Sequence, residues 1–342
     1  MPLASLPNEL ILAIGELADS QADLVSFSRT SRRHHDLLER LLISYNIKHN
    51  RGNGFHWAVS HNDFELAKRF LARPGLDMNS PALERKKIQP NINLSTLARF
   101  DHKGLFDPPL FVAINKDHTE MALLLLNNGA TPEVKNGRGT DNAVDLAIAK
   151  GYRDIVRKML DLGIDALKFV PTHSPDYAEL CHLSRTIWAV QYNQPSVLQL
   201  LLDDIANRHP KLLAKYHNDA LVAAAWKGQT YTMALLLDRG APVDGVPGQR
   251  DLPISIAVIQ NQADAVELLL ERGSDLSLHR QEVSMAFRRH WKRIGRHDAW
   301  AGNPIRREMR NNRLARVLLR GARKFPEPFA ARFQRRLHAS IL

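Results

Sequence analysis

Cysteine is almost missing from this sequence: Cys181 is the single one among 342 residues. That excludes an intramolecular disulfide framework and fits a reducing compartment, so cytoplasm or nucleus is the expected location. Long uncharged apolar runs are missing as well, which excludes a membrane span of about 20 residues. The opening stretch "MPLASLPNELILAIGELA" is fairly apolar, but it lacks a basic leading region and is interrupted by Asn8, Glu9 and Glu16. A secretory signal is therefore not expected. Catalytic patterns are missing too. The 15 histidines contain no pair at metal-ligand spacing with companion cysteines or carboxylates, and adjacent His34 and His35 point to different faces of a helix. Cys181 beside His182 is adjacency in sequence, not the spatial pairing of a thiol nucleophile with its base. The stretch "NGRGTDN" at 136–142 lacks the Gly-Lys-Ser/Thr ending of a phosphate loop. No enzyme activity, metal or cofactor is expected of this chain.

Charge is present in excess and unevenly placed. The net charge is +11; residues 279–342 carry 17 Lys+Arg against 4 Asp+Glu, or +13, which leaves 11 − 13 = −2 for residues 1–278. The basic tail includes "RRHWKRIGR" at 288–296, which has the composition of a segment that binds nucleic acid, addresses a chain to the nucleus or meets acidic phospholipid. A solvated end of the fold has the same composition. No zinc finger or helix-turn-helix accompanies it, so any nucleic-acid binding is expected to be unspecific.

The 342 residues, 44% hydrophobic, suffice for a large core, and the core has a period. Six alanines, Ala58, Ala113, Ala147, Ala189, Ala224 and Ala257, each precede by four residues a position that tolerates left-handed backbone: Asn62, Asp117, Gly151, Asn193, Gly228 and Asn261. Thirteen residues after each alanine stands a leucine: Leu71, Leu126, Leu160, Leu202, Leu237 and Leu270. This spacing predicts a short helix, a left-handed stop and a second helix running back. Gly or Asn at the stop avoids a steric penalty of roughly 1–2 kcal/mol, and Asp117 is the least suited of the six. The alanine lets a neighbouring helix approach, while the leucine cluster supplies an apolar stripe. Gly129, Gly163, Gly240 and Gly273 read as caps of the second helix, whereas Pro74 and Ile205 stand where the other two units lack one.

The alanine spacings are 55, 34, 42, 35 and 33 residues, a base period of about 33, and at this point the chain resembles the ankyrin repeats. "NGFHWAVSHND" at 53–63 is similar to the family's T-P-L-H-x-A line with His56 in the histidine slot, where an imidazole bonds backbone. Pro253 in "DLPISIAVIQNQADAVELLLERGSD" holds the proline slot. The resemblance covers residues 50–278, about six repeats with long connections at 75–107 and 164–183. "EVSMAFRRHW" and "NNRLARVLLRGA" in the tail suit the two helices of a degenerate seventh, capping repeat, or a basic extension without one.

The first 48 residues do not follow that period. Pro7 suits a first helical turn with Ser5 as its cap, and Leu6, Leu10, Ile14 and Leu17 recur on one face. A second helix is expected from about Asp23 and a third over about Arg32 to Leu42. Leu6, Pro7, Glu9, Leu10, Ile14 and Leu17, then Asp23, Leu24, Ser28, Ser31, Arg32 and Leu37, resemble the two halves of an F-box; His34 and His35 replace its customary aromatic. The fold class expected is thus all-α, a three-helix F-box followed by an ankyrin-repeat helical solenoid. The resemblance implies docking to the Skp-type adaptor of a cullin-RING ubiquitin ligase through Leu6, Pro7, Leu10, Ile11, Ile14, Leu17 and Leu24, with the repeats holding a protein target. The alternative is a ligase-independent ankyrin scaffold whose first residues are a helical cap.

In the ankyrin arrangement the variable contact positions lie two and three residues after the alanine, facing a concave groove. Here they read Ser60/His61, Asn115/Lys116, Ala149/Lys150, Gln191/Tyr192, Trp226/Lys227 and Ile259/Gln260. Lys116, Lys150, Tyr192, Trp226 and Lys227 are the candidate partner contacts, since aromatic residues concentrate binding energy. A partner with an aromatic or aliphatic anchor flanked by acidic groups suits such a surface, phosphorylated or not. Packing of Trp226 flat on the adjacent repeat, with the lysines a solvated edge, is the other reading. Trp57 and Trp188, one residue before their alanines, are expected in the core or between repeats.

Overall fold

The structure, a computed structural model, describes residues 6–18, 20–80, 107–137, 141–170, 183–246, 252–276, 283, 313–322 and 335. Ser5, Cys181, residues 288–296 and most of both long connections lie outside them. The chain divides into two compact units, Met1–Ala147 with Asp154–Ile164, and Ile148–Arg153 with Asp165–Leu342.

The first unit begins with three helices, α1 (Asn8–Glu16), α2 (Gln21–Ser28) and α3 (Arg32–Asn50). Ser20 and Ser31 cap α2 and α3, their hydroxyls accepting from the backbone N–H of Asp23 at 3.2 Å and His34 at 3.1 Å. Ile11, Leu24, Leu38 and Ile43 are buried between the helices. Gly15 lets α1 press onto α3, because a Cβ there would stand 2.5 Å from Leu38 Cδ2. Helix α3 runs two turns past its expected end. No Gly or Pro interrupts it before Arg51 and Gly52, which turn left-handed at φ 48° and 70°. It then leads into the first repeat, where Gly54 donates its N–H to Asn46 Oδ1 at 3.0 Å and Arg69 pairs with Glu39.

The repeats follow as helical hairpins. In the first unit these are α4 (Asn53–Ser60) with α5 (Phe64–Leu71) and α6 (Pro109–Asn115) with α7 (Thr119–Asn127), followed by α8 (Ala143–Lys150) and α9 (Arg153–Asp161). All six expected stops have positive φ, from 54° at Asn193 to 78° at Gly151, and Asp117 is among them at 63°. All six alanines are completely buried. The second glycines adopt φ between 85° and 94°, and in the first hairpin Gly75, at φ 83°, turns the chain beyond Pro74. The expected leucine cluster supplies the stripe, and its most uniformly buried position lies one residue before the leucines. The position twelve after the alanine, Phe70, Leu125, Met159, Leu201, Leu236 and Leu269, is buried in every unit; of the leucines one residue later, Leu126, Leu160 and Leu202 are buried and Leu71, Leu237 and Leu270 half-buried. A helix completes 3.6 residues per turn, so the twelfth position continues the stripe set by the invariably buried ninth: Ala67, Ala122, Val156, Leu198, Met233 and Val266.

The second unit contains α10 (Arg185–Gln191) with α11 (Pro195–Arg208), α12 (Leu213–Lys227) with α13 (Thr230–Asp238), and α14 (Pro253–Ile259) with α15 (Ala263–Glu271). Helix α11 continues through Ile205, which is buried, because no glycine stops it there. A short two-stranded antiparallel ladder, β1 (Phe169–Val170) with β2 (Leu183–Ser184), closes the base of the second connection within the otherwise helical fold. It delivers Ser184 as the cap of α10 and the buried Arg185, whose guanidinium donates to the Asp165 carbonyl at 2.5 Å. Helix α16 (Arg313–Ala322) packs on α15 through Leu314, Val317 and Leu318. A Cβ on Gly321 would stand 2.6 Å from Leu270 Cδ1, and Arg313 and Arg320 pair with Glu267 at 3.4 and 3.0 Å. We propose that α16 is the second helix of a seventh, capping repeat. Leu318→Asp places an unpaired carboxylate in that contact, a loss of about 3–5 kcal/mol. The expected outcome is fast hydrogen exchange confined to 313–322 with α10–α15 still protected; global unfolding would contradict a local cap.

His56 is buried, its ring edge-on to Phe55 with centroids 6.4 Å apart, and burial lowers its imidazole from 6.5 to about 4 against smaller upward pulls from Asp77 and the Ser80 backbone. The unfolded chain therefore binds a proton near pH 6.5 that the folded chain refuses until about pH 4. This contribution is complete above pH 6.5 and is lost as pH falls toward 4, about 2 kcal/mol of it by pH 5. His217, also lowered by burial and by Arg239, acts in the same direction. Urea midpoints at pH 7 and pH 5 are expected to diverge for the natural chain by more than for His56→Asn.

Candidate interaction surfaces

Helix α1 divides its aliphatic residues between two faces. Ile11 is completely buried with Gly15 against α3, while Leu10, Ile14 and Leu17 are 51%, 41% and 80% exposed. Their i, i+4, i+7 spacing puts these three on one strip. Among the expected adaptor contacts, Ile11 and Leu24 are therefore corrected to core residues: both are fully enclosed and are unavailable to a partner while the three helices stay packed. Pro7 is exposed just before α1, its carbonyl accepting from Leu10 and Ile11 N–H at 3.1 and 3.2 Å. Arg33 of α3 fixes the helix start. Its guanidinium donates to the carbonyl of the half-buried Leu6 at 2.8 Å and to Asn8 Oδ1 at 2.6 Å. Beyond the charge of Arg33, nothing local in the chain discloses this clamp.

At the end of the first repeat's α4, Trp57 is exposed and stacks on His61, with ring centroids 4.3 Å apart and planes 20° from parallel. Of the two places expected for it, in the core or between repeats, the first is thereby corrected. One turn of helix sets the two rings on the same side, and His56 and Ala58, its neighbours, take the inward positions instead. Lys116 is exposed and reaches the preceding repeat, its ammonium donating to the Ser60 carbonyl at 3.1 Å.

The second unit presents the other candidates at the ends of α8, α10, α12 and α14. Tyr192 and Trp226 are both partly exposed, Trp226 at 37%. Trp188 is half-buried and braces Tyr192, with centroids 4.9 Å apart at 58°. Lys150 is half-buried and Lys227 exposed, at the same register as Tyr192. No carboxylate stands at either contact position of these four helices. Tyr231, exposed beyond the Gly228 turn, was not among the candidates because it belongs to the start of the second helix.

A ladder of side chains keeps successive helix ends in step. Gln194 donates to the Ala149 carbonyl at 3.1 Å, Gln229 to Val190 at 2.9 Å and Gln262 to Trp226 at 3.5 Å. In the first unit His118 holds the Val59 carbonyl at 3.0 Å in the same way. Each stands five residues after its alanine, and the recurring amide at that position is the signal that could have disclosed the ladder. Along the second helices Arg239 pairs with Asp203 at 2.9 Å and Arg272 with Asp238 at 2.5 Å, exposed pairs worth little each in stability.

Among the described residues no three His, Cys, Asp or Glu side chains gather as a metal site, and no helix is long and apolar enough to cross a membrane. His34 is enclosed with Nδ1 2.6 Å from Thr30 Oγ1 and its ring 5.1 Å from Phe27, a packing role in place of the absent aromatic.

Family models for ankyrin repeats match residues 186–280, as three copies, and residues 107–137, as one. These segments contain the hairpins led by Ala189, Ala224 and Ala257 and by Ala113. The chain therefore carries ankyrin repeats, which are protein–protein interaction modules. No curated protein sequence matches it. Similar solved structures include the ankyrin repeat domain of Bcl-3, a member of the IkappaB protein family, at 20% identity and TM-score 0.42 over 65% of this chain and 87% of that one. The human ASB11 ankyrin repeat domain is similar at 21% identity and TM-score 0.43, over 65% and 84%. A chain from the complex of the Bdellovibrio bacteriovorus endopeptidase Bd0816 with immunity protein Bd3460 has 18% identity and TM-score 0.43, over 64% and 96%.

Proposed function

We propose that the protein is the substrate-recognition subunit of an SCF-type cullin-RING ubiquitin ligase, with the three-helix segment acting as an F-box and the ankyrin repeats binding a protein target. The observation that carries this reading is the exposed strip of Leu10, Ile14 and Leu17 on α1. Three aliphatic side chains left in water along two turns of a small helical unit suit a helix-in-groove or helix-on-helix partner. The Arg33 clamp on Leu6 and Asn8 holds that strip in one orientation before any partner arrives, which lowers the ordering cost of docking. Catalysis would be by positioning, and no side chain of this chain would enter the chemistry.

The test is co-expression of the full chain with a Skp-type adaptor, followed by purification on a tag carried by the adaptor. Stoichiometric retention of the chain, and of a cullin added to the pair, is the expected result; a chain that washes through despite being folded would refute the ligase reading. A second reading, a ligase-independent ankyrin scaffold, is favoured by the direct run of α3 into the first repeat and by the Arg69–Glu39 pair, which make the three helices a cap for α4 and α5. Nucleic-acid association through residues 279–342 is a weaker reading, checked by deleting them.

A further inference from the structure

The chain contains three Asn–Gly pairs, Asn53–Gly54, Asn128–Gly129 and Asn136–Gly137. Such a pair is prone to lose its side-chain ammonia, because glycine has no Cβ to keep its backbone nitrogen away from the preceding carboxamide. In all three the glycine N–H is held by an acceptor. Gly129 donates to the Leu126 carbonyl at 3.2 Å, a bond of its own helix end. The other two acceptors are side chains brought from elsewhere in the chain. Asn46 Oδ1 takes the Gly54 N–H at 3.0 Å, and Asp107 Oδ1 takes the Gly137 N–H at 2.8 Å across 30 positions. At Asn136 both reacting groups are tied. Asp107 is buried, and a carboxylate accepting from backbone N–H makes one of the stronger hydrogen bonds. Asn136 donates from Nδ2 to Asp141 Oδ2 at 3.2 Å and from its backbone N–H to the Asp141 carbonyl at 2.7 Å. Asn136 is itself buried, whereas Gly137 is exposed, so water stands at the edge of the pair.

We propose that Asn136–Gly137 is a latent deamidation site that the buried Asp107 carboxylate keeps closed. In the reaction held back, the Gly137 nitrogen gives up its proton and attacks Cγ of Asn136. The bond from Cγ to Nδ2 breaks and ammonia leaves with that proton. Water then opens the resulting succinimide at either carbonyl, which leaves aspartate or isoaspartate. While the Gly137 N–H donates to Asp107, the nitrogen retains its proton and its N–H points at the carboxylate. Only transient opening of the turn frees it, so the rate follows the population of the open turn. Conversion adds a negative charge beside Asp107 and Asp141, and isoaspartate also lengthens the backbone by one methylene in the turn before Ala143. Both changes oppose reclosure, the first by like-charge repulsion. The site is independent of what α1 and the repeats bind.

The test is prolonged incubation of the full chain at neutral pH, with deamidation at each site followed by peptide mass spectrometry. The natural chain, the natural chain in urea and Asp107→Ala are compared, and Asn53 and Asn128 serve as references within the same molecule. Asn136 of the folded natural chain is expected to react at least about ten-fold more slowly than in urea, and Asp107→Ala to speed it about ten-fold, the effect of losing one such hydrogen bond. Asn53 and Asn128 are expected to keep their natural rates in Asp107→Ala, and Asn46→Ala to speed Asn53 alone. Equal rates at Asn136 with and without urea would overturn the proposal. So would a natural rate at Asn136 in Asp107→Ala that is folded by circular dichroism. A rise at all three sites together would mean that Asp107→Ala unfolds the chain. Hydrogen exchange of the Gly137 N–H in the natural chain then decides: protection is expected, and exchange at the unprotected rate would overturn the assignment.

Discussion

Gly151→Ala is expected to lower stability by about 2–3 kcal/mol. Two causes add at this position. The backbone stands at φ 78°, which costs a residue with a Cβ roughly 1–2 kcal/mol. The new methyl would also stand 2.2 Å from Gln194 Oε1, so the carboxamide must swing away and give up its bond to the Ala149 carbonyl, about 1 kcal/mol more. Gly151→Asn separates the two, because asparagine tolerates the left-handed region, as Asn62, Asn193 and Asn261 do in this chain, but still collides with Gln194. Gly240→Ala supplies the control: φ is 85° and nothing lies within 4 Å of its Cβ position, so only the backbone term is lost and Gly240→Asn is expected to be nearly neutral. Chemical denaturation of the four variants checks the order; equal losses at Gly151 and Gly240 would remove the role given to Gln194.

The largest functional effect is expected from Leu10→Glu/Ile14→Glu. Both side chains already face water, so the isolated chain should keep its helicity and its stability within about 0.5 kcal/mol per site. In a docked helix the same positions would be dehydrated against apolar groups. Two hot-spot losses of at least 2 kcal/mol each, with added desolvation of carboxylates, amount to about a thousand-fold or more in affinity. Ile11→Glu gives the contrast, since Ile11 is enclosed against α3 and its replacement is expected to unfold the three-helix segment.

What the sequence disclosed here was mostly local. A stop four residues after a small residue is a property of the chain's own backbone, which is why all six left-handed positions, Asp117 included, are where the period puts them. The inward alanines follow for the same reason. Features that depend on residues distant in sequence were not legible. Arg33 reaches Leu6 and Asn8 across 27 and 25 positions, and Gln194 reaches Ala149 across 45. Trp57 was misplaced because hydrophobicity argues for burial, whereas helical phase assigns the inward places to His56 and Ala58 and leaves the indole to stack on His61. The F-box resemblance implies Ile11 and Leu24 as adaptor contacts, yet the packing of α1 and α2 on α3 encloses them. The β1–β2 pair was missed because two residues per strand carry no periodicity.

The most direct measurement is a calorimetric titration of the purified full chain with a purified Skp-type adaptor, the natural chain beside Leu10→Glu/Ile14→Glu. The account predicts saturable one-to-one binding for the natural chain, with a negative heat-capacity change from apolar burial, and no detectable heat for the variant at unchanged helicity. Absence of binding by the folded natural chain, or equal binding by both, would contradict the assignment of α1 as the docking helix.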